Sequence, residues 1–163
     1  MHTRIRAHQE NAQAIVEAVG GHPAVETVHY PGLTDHPGHR IAASQQSGFG
    51  AMLSIDLAGG EVAVRAFLDG LRCFSLAESL GGVESLVAHP ATMTHASMTP
   101  EARAVAGIGD GLLRVSAGIE AAEDLVANVL DGLDRAWRAT TGDGAAASTG
   151  GPSAAGRPLV GSH

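Results

Sequence analysis

The stretch LRCFSLAESLGGVESL, residues 71–86, contains an apolar run that ends abruptly in polar residues. Leu71–Leu76 has the composition of a short buried strand, and Glu78 and Ser79 follow it, before a pair of glycines. Glycine lets the backbone turn back without placing a side chain in the way.

The chain on either side of this stretch alternates between helical and strand-like patterns. Apolar residues recur at helical spacing in 3–19, 61–70, 100–106 and 119–138, and a short helix is expected at the end of 35–46. Strand patterns cover 25–30, 49–57, 71–76 and 112–115, and residues 77–98 are expected to form a loop. This order predicts an α/β fold in which a sheet is covered by helices.

The composition changes sharply near the carboxyl end. Residues 140–163 consist mostly of Gly, Ala, Ser, Thr and Pro and have few large apolar side chains. Such a segment buries too little apolar surface to offset the entropy of ordering, which predicts a disordered tail. We therefore expect one domain over residues 1–139, in which residues 1–20 form a leading helix, followed by the tail.

Charge and cysteine content exclude several classes of function. The formal net charge of −7 argues against nucleic acid and anionic membranes as partners. No apolar run approaches the roughly 20 residues that span a bilayer. Cys73 is the single cysteine, so a disulfide framework is excluded and a reducing cytoplasm is the expected location.

Arg114 is the most informative charged residue. It lies in the predicted strand of GLLRVSAGIE, residues 111–120, between Leu113 and Val115. Such a guanidinium belongs either to a solvated face or to a buried site with an anionic partner, because an unpaired buried charge is costly. If the partner were a ligand carboxylate, Glu78 and Ser79 would be the natural companions of Arg114. His36 and His39 flank Pro-Gly and are interpreted as turn residues, so no metal site is predicted.

Three motifs carry a family resemblance. SLGGVESL (79–86), MTHA (93–96) and LLRVSAGIE (112–120), at these separations, resemble the carboxyl-terminal part of the Cys/Met-metabolism, or trans-sulfuration, family of pyridoxal-phosphate enzymes. The resemblance covers about residues 2–138. It implies the fold-type-I transferase architecture, in which a large domain carries the cofactor and its Schiff-base lysine and a smaller carboxyl-terminal α/β domain closes over the substrate.

The resemblance also implies roles for individual residues. Arg114 matches the arginine that binds the substrate α-carboxylate, and Ser79 matches a serine whose backbone or hydroxyl assists it. Glu78 matches an acid that tunes substrate choice, and Thr94 matches a threonine near the entry of the site. No catalytic, cofactor-binding or metal-binding residue is expected within this chain.

Within the family, the resemblance favours the members that join O-succinylhomoserine to cysteine by γ-replacement and so form cystathionine. The γ-lyases acting on cystathionine or methionine and the homoserine-ester sulfhydrylases stay open as alternatives, as does an inactive piece that serves only binding or assembly. The expected partners are small amino-acid substrates and, for the full-length enzyme, other subunits in a homotetramer built from dimers.

The absence of lysine gives a direct prediction. All ten residues counted as Lys or Arg are arginines, so no side chain of this chain can form a Schiff base with pyridoxal phosphate. Borohydride reduction in the presence of the cofactor is expected to attach a pyridoxyl group to the α-amine alone. Peptide mass mapping checks this, and a stoichiometric adduct on any side chain would contradict it.

Overall fold

The computed structural model describes residues 1–142, so residues 143–163 of the predicted tail lie outside the described part of the chain. Five helices and five strands are present in this range. The helices are α1 (His2–Val19), α2 (His39–Gln45), α3 (Gly60–Leu68), α4 (Pro100–Val105) and α5 (Ala122–Thr141). The strands are β1 (Val25–His29), β2 (Met52–Leu57), β3 (Phe74–Leu76), β4 (Ser85–Ala88) and β5 (Leu112–Ser116).

The strands form one sheet in the order β1-β2-β5-β4-β3. All neighbours pair antiparallel except β3 and β4, which run parallel. β5 therefore lies in the middle of the sheet, between β2 and β4. The predicted α/β architecture of a sheet with helices is confirmed.

One face of the sheet is covered by three helices. Alternate residues of β2 and β5 point into the core, as the period of two in a strand requires. The long helices α1, α3 and α5 supply the opposite side of the same cluster. The largest fully buried core side chains from these five elements are Ile15, Val19, Ile55, Val64, Phe67, Leu113, Val115, Leu125, Val129 and Leu133.

Local signals explain where α4 and α5 begin and end. Thr99 accepts a hydrogen bond from Ala102 N at its side chain (3.2 Å), and Pro100 occupies the first turn, where its missing N–H costs nothing. α5 has acids in its first turn and Arg138 in its last, as the helix dipole favours. Gly142 follows α5 with φ of 80°, the left-handed conformation in which glycine commonly ends helices.

The strands around the opening motif differ from the prediction. β3 begins only at Phe74, and β4 lies inside the segment 77–98 that was expected to be a loop. The four residues of β4 are all buried, so they lack the apolar and polar alternation that marks a half-exposed strand. Hydrogen bonding to both β3 and β5 makes this short segment a strand, and that information is not local.

Within residues 1–142, no helix is both long enough and apolar enough to cross a membrane.

The contact between α3 and α5 gives a stability prediction. A Cβ atom added at Gly132 would lie 2.8 Å from Cδ2 of the buried Phe67 ring. Gly132→Val is therefore expected to lower the free energy of unfolding by about 2 kcal/mol, because overpacking outweighs the gain in helix propensity. Urea denaturation measures the change.

The matched control is Ala127→Val, which places the same side chain on the exposed side of α5. It is expected to cost no more than about 0.7 kcal/mol, the range of helix propensity. Equal destabilisation by the two variants would contradict the packing argument.

Candidate functional site

The sheet face opposite the core carries polar side chains at its centre. Arg114 of β5 pairs with Ser54 of β2 and with Ala88 of β4, and residues paired directly across an antiparallel ladder share a face. Arg114 and Ser54 are half-buried. Arg114 is thus neither fully solvated nor sealed in the core, which are the two alternatives that its sequence context left open.

The loop 77–84, which connects β3 to β4, follows β5 along its length. Nη2 of Arg114 donates to the main-chain carbonyl oxygens of Glu78 (2.9 Å) and Ser79 (3.0 Å). Further along, Gly81 N donates to Oγ of Ser116 (3.0 Å). Arg114 and Ser116 lie two residues apart and so reach the loop from the same face of the strand.

The end of the loop is fixed just beyond β5. Ile119 N donates to Val83 O at 2.9 Å. Parallel strands usually need a crossover of about a dozen residues or more. Here a shorter connection without helix or strand makes the crossover, and its backbone polar groups bond to β5 and the turn after it.

The charge of Arg114 is not neutralised by a neighbouring acid. Within residues 1–142 it forms no salt bridge, whereas Arg65 lies 2.6 Å from Glu61 and Arg103 lies 3.6 Å from Asp110. Its described hydrogen bonds use Nη2 alone, which leaves Nη1 and Nε as further donors toward a ligand. A guanidinium held by two carbonyl groups, with its charge uncompensated and donors to spare, is suited to bind a carboxylate.

Glu78 and Ser79 lie beside Arg114, where the sequence analysis expected them. Their carbonyl oxygens, and not the serine hydroxyl or the carboxylate, contact the guanidinium. Both residues are exposed, so their side chains are accessible from solvent at the edge of the site.

Thr94 is not joined to this group by any hydrogen bond in the described part of the chain. It is exposed, and its hydroxyl lies 2.8 Å from Nδ1 of its neighbour His95. The structure therefore brings together three of the four predicted residues and leaves the placement of Thr94 at the site a prediction.

Residues that the sequence reasoning missed hold the loop in place. They are Ser85, Ser116, Gly118 and Glu120. The signal was the run SAGIE, residues 116–120, in which small and polar residues replace the apolar pattern directly after the strand. Such a run marks a tight turn, but it does not show which loop packs against it.

Comparison with known proteins identifies the family. Residues 1–134 match the family model described as Cys/Met metabolism PLP-dependent enzyme. The chain belongs to this family. The resemblance inferred from the three sequence motifs is confirmed.

Individual relatives carry different activity names. The cystathionine γ-synthase of Escherichia coli K12 is 57% identical over 130 residues, which are 80% of this chain and 34% of the relative. A cystathionine β-lyase of Lactococcus lactis subsp. cremoris MG1363 is 52% identical over 132 residues, 81% of this chain and 34% of the relative. The chain thus spans about a third of the length of these curated relatives.

A solved structure supports the fold at high identity. Cystathionine γ-synthase of Xanthomonas oryzae pv. oryzae, in complex with aminoacrylate and cysteine, superimposes with a TM-score of 0.81 and 65% identity. The match covers 85% of this chain and 36% of that one. Members of this family are enzymes that use pyridoxal phosphate, and the fold of this chain is the one found in cystathionine γ-synthase.

Proteolysis can test whether the hydrogen bond from Gly81 to Ser116 restrains the exposed loop. Ser116→Ala removes the acceptor, so the free energy of unfolding is expected to fall by about 1 kcal/mol and the loop to loosen. A glutamyl endopeptidase, which can reach the exposed Glu78 and Glu84, should then cut the loop faster. Mass spectrometry of the early fragments measures the rate.

Ser54→Ala is the matched control, since Ser54 lies on the same sheet face and forms no hydrogen bond to the loop. Cleavage in 77–84 at the same rate in both variants would show that Ser116 does not restrain the loop.

Proposed function

We propose that this chain forms the carboxyl-terminal substrate-binding part of a cystathionine γ-synthase. The whole enzyme would join O-succinylhomoserine to cysteine by γ-replacement, which yields cystathionine and succinate. The observation that carries the proposal is the uncompensated guanidinium of Arg114, held against the Glu78-Ser79 backbone on the open sheet face. Both substrates carry an α-carboxylate, the group for which this arrangement is suited.

Each residue at the site has a defined part in this proposal. Arg114 binds the α-carboxylate through the donors that the loop does not use, and the carbonyl groups of Glu78 and Ser79 orient the guanidinium. The exposed Ser79 hydroxyl can donate to the same carboxylate, and the exposed Glu78 carboxylate would tune substrate choice. Thr94 would lie at the entry.

The residues of this chain do not fit a covalent pyridoxal-phosphate site. Lysine is the residue that forms the Schiff base, and the sequence contains none. We therefore derive no step of the cofactor's chemistry from this chain. In the proposed enzyme the lysine belongs to another segment of the protein, and the domain over residues 1–139 closes the site in a cytoplasmic homotetramer built from dimers.

The choice of the synthase over the other activities rests on similarity. Two relatives named cystathionine γ-synthase are 57% and 65% identical in the matched regions. The cystathionine β-lyase is nearly as similar, at 52% identity. This activity is a further alternative to those considered from the sequence. γ-Lyases, homoserine-ester sulfhydrylases and an inactive binding module are the other candidates.

Substrate requirements separate a synthase from a cystathionine lyase and from a module without either activity. A full-length enzyme containing this sequence is incubated with O-succinylhomoserine with and without cysteine, and with cystathionine alone. A synthase forms cystathionine only when both substrates are present. A lyase releases a keto acid and ammonia from cystathionine, and an inactive module does neither.

In the same full-length enzyme, Arg114→Ala is expected to lower kcat/KM by roughly 10²–10⁴, because breaking a charge-assisted carboxylate contact in a desolvated site costs about 3–5 kcal/mol. Arg114→Lys should recover part of the loss, since an ammonium cannot reproduce the planar fork. Binding of pyridoxal phosphate should change little. Steady-state kinetics and the cofactor absorbance measure these effects.

Arg72→Ala is the control, because the exposed Arg72 lies 3.9 Å from the exposed Asp131 and such surface pairs contribute little. A near-normal kcat/KM for Arg114→Ala would remove Arg114 from the site and refute the proposed role of this chain.

A further inference from the structure

A second network lies at the far end of the loop 77–84, away from the guanidinium. Oε1 of Glu120 accepts a hydrogen bond from Ser85 N (2.7 Å), and Oε2 accepts one from Ser85 Oγ (2.9 Å). The same hydroxyl accepts from Gly118 N (2.8 Å). Ser85 is fully buried and is the first residue of β4. A single carboxylate thus fixes both the backbone and the side chain of the residue where the loop ends.

The turn after β5 is built closely around this carboxylate. A Cβ atom at Gly118 would lie 2.6 Å from Ser85 N and from the carbonyl carbon of Glu84, and it would also collide with the Glu120 carboxylate. Only glycine fits at this position. The turn and the end of the loop are therefore in direct contact, with no space for either to shift independently.

Helix α1 holds the turn from its other side. Nδ2 of Asn11 donates to the carbonyl oxygens of Gly118 (3.0 Å) and Glu120 (2.8 Å). Nδ1 of His8, one helical turn earlier, lies 2.6 Å from the carbonyl oxygen of Ala117 and donates to it. Both side chains are buried. Hydrogen bonds from α1 thus fix the turn 117–120, and the Glu120 side chain connects this turn to Ser85.

Glu120 is half-buried and forms no salt bridge with any residue in 1–142. Its charge is compensated by the N–H and O–H groups of Ser85, and such charge-assisted hydrogen bonds are stronger than neutral ones. The preceding residue, Ile119, donates its N–H to the carbonyl oxygen of Val83 in the loop. The loop is consequently tied at its end by the Glu120 network and at its beginning by Arg114.

We propose that Glu120 is a positioning residue for the carboxylate-binding site. Through Ser85 and Ile119 it fixes the end of the loop 77–84, and the fixed loop presents the Glu78 and Ser79 carbonyl groups that orient Arg114. Glu120 itself touches neither the substrate nor the guanidinium. The role in substrate binding rests on the function proposed above, whereas the effect on the loop does not.

The test uses the full 163-residue chain with Glu120→Gln, which keeps the size of the side chain but places an amide N–H₂ group opposite a Ser85 donor. Amide hydrogen exchange at Gly81 and Ser85 is expected to become at least about tenfold faster. The NMR signal of Arg114 Nε–H should shift. The Leu57 amide, which bonds to Gly111 O on the other side of β5, serves as the internal reference and should keep its rate.

Two variants complete the comparison. Glu123→Gln removes the same charge from the exposed first turn of α5 and should leave exchange at Gly81 unchanged. Glu120→Asp keeps the charge on a shorter side chain and should give exchange rates between those of wild type and Glu120→Gln. If Glu120→Gln does not fold, Ser85→Ala, which removes one of the two donors, takes its place with the same expected direction.

Ligand binding is measured separately in a full-length enzyme containing this sequence, with L-cystathionine as the probe. Glu120→Gln is expected to weaken its binding by about tenfold, as small displacements of binding groups do. If wild type does not bind L-cystathionine, the proposed function fails, and the exchange data still decide the effect of Glu120 on the loop. The positioning role is overturned if Gly81 exchange stays within about twofold of wild type, if Leu57 accelerates equally, or if the Arg114 signal does not move.

Discussion

The hydrogen bonds from Arg114 to the carbonyl groups of Glu78 and Ser79 connect the centre of the sheet to the loop that lies over it. β5 is paired on both sides, so its backbone groups are committed to the sheet and only its side chains can reach the loop. A loop without regular structure must find other partners for its backbone groups. In this chain Arg114 and Ser116 provide two of them, and the shape of the candidate site depends on these side chains.

In the proposed site, one guanidinium combines a structural and a binding role. Carbonyl oxygens orient Arg114 without cancelling its charge, whereas a carboxylate partner such as the one that pairs with Arg65 would have satisfied it. The remaining donors are thus preorganised for an anion, which reduces the entropy lost on binding. At the opposite end of the loop, the Glu120 carboxylate accepts hydrogen bonds from the N–H and O–H groups of Ser85. The positive charge of Arg114 and the negative charge of Glu120 therefore do not neutralise each other.

The family relationship and the geometry support different conclusions. Similarity over most of the chain establishes the Cys/Met metabolism family and its α/β fold. It does not select one reaction, because a synthase and a β-lyase are 57% and 52% identical to the same region. The geometry of Arg114 is suited to a carboxylate, which supports the proposal that this chain binds a substrate α-carboxylate.

The sequence by itself determined the long helices, the central strands and the importance of Arg114, because amphipathic periodicity and a charge within an apolar strand are local properties. Only the tertiary structure made residues 85–88 a strand, since that segment is defined by partners on β3 and β5 and has no alternation of its own. The tertiary structure also decided that the main-chain carbonyl groups of Glu78 and Ser79, and not their side chains, contact the guanidinium. Every residue has the same backbone carbonyl group, so the sequence does not show which carbonyl oxygens accept hydrogen bonds from Arg114.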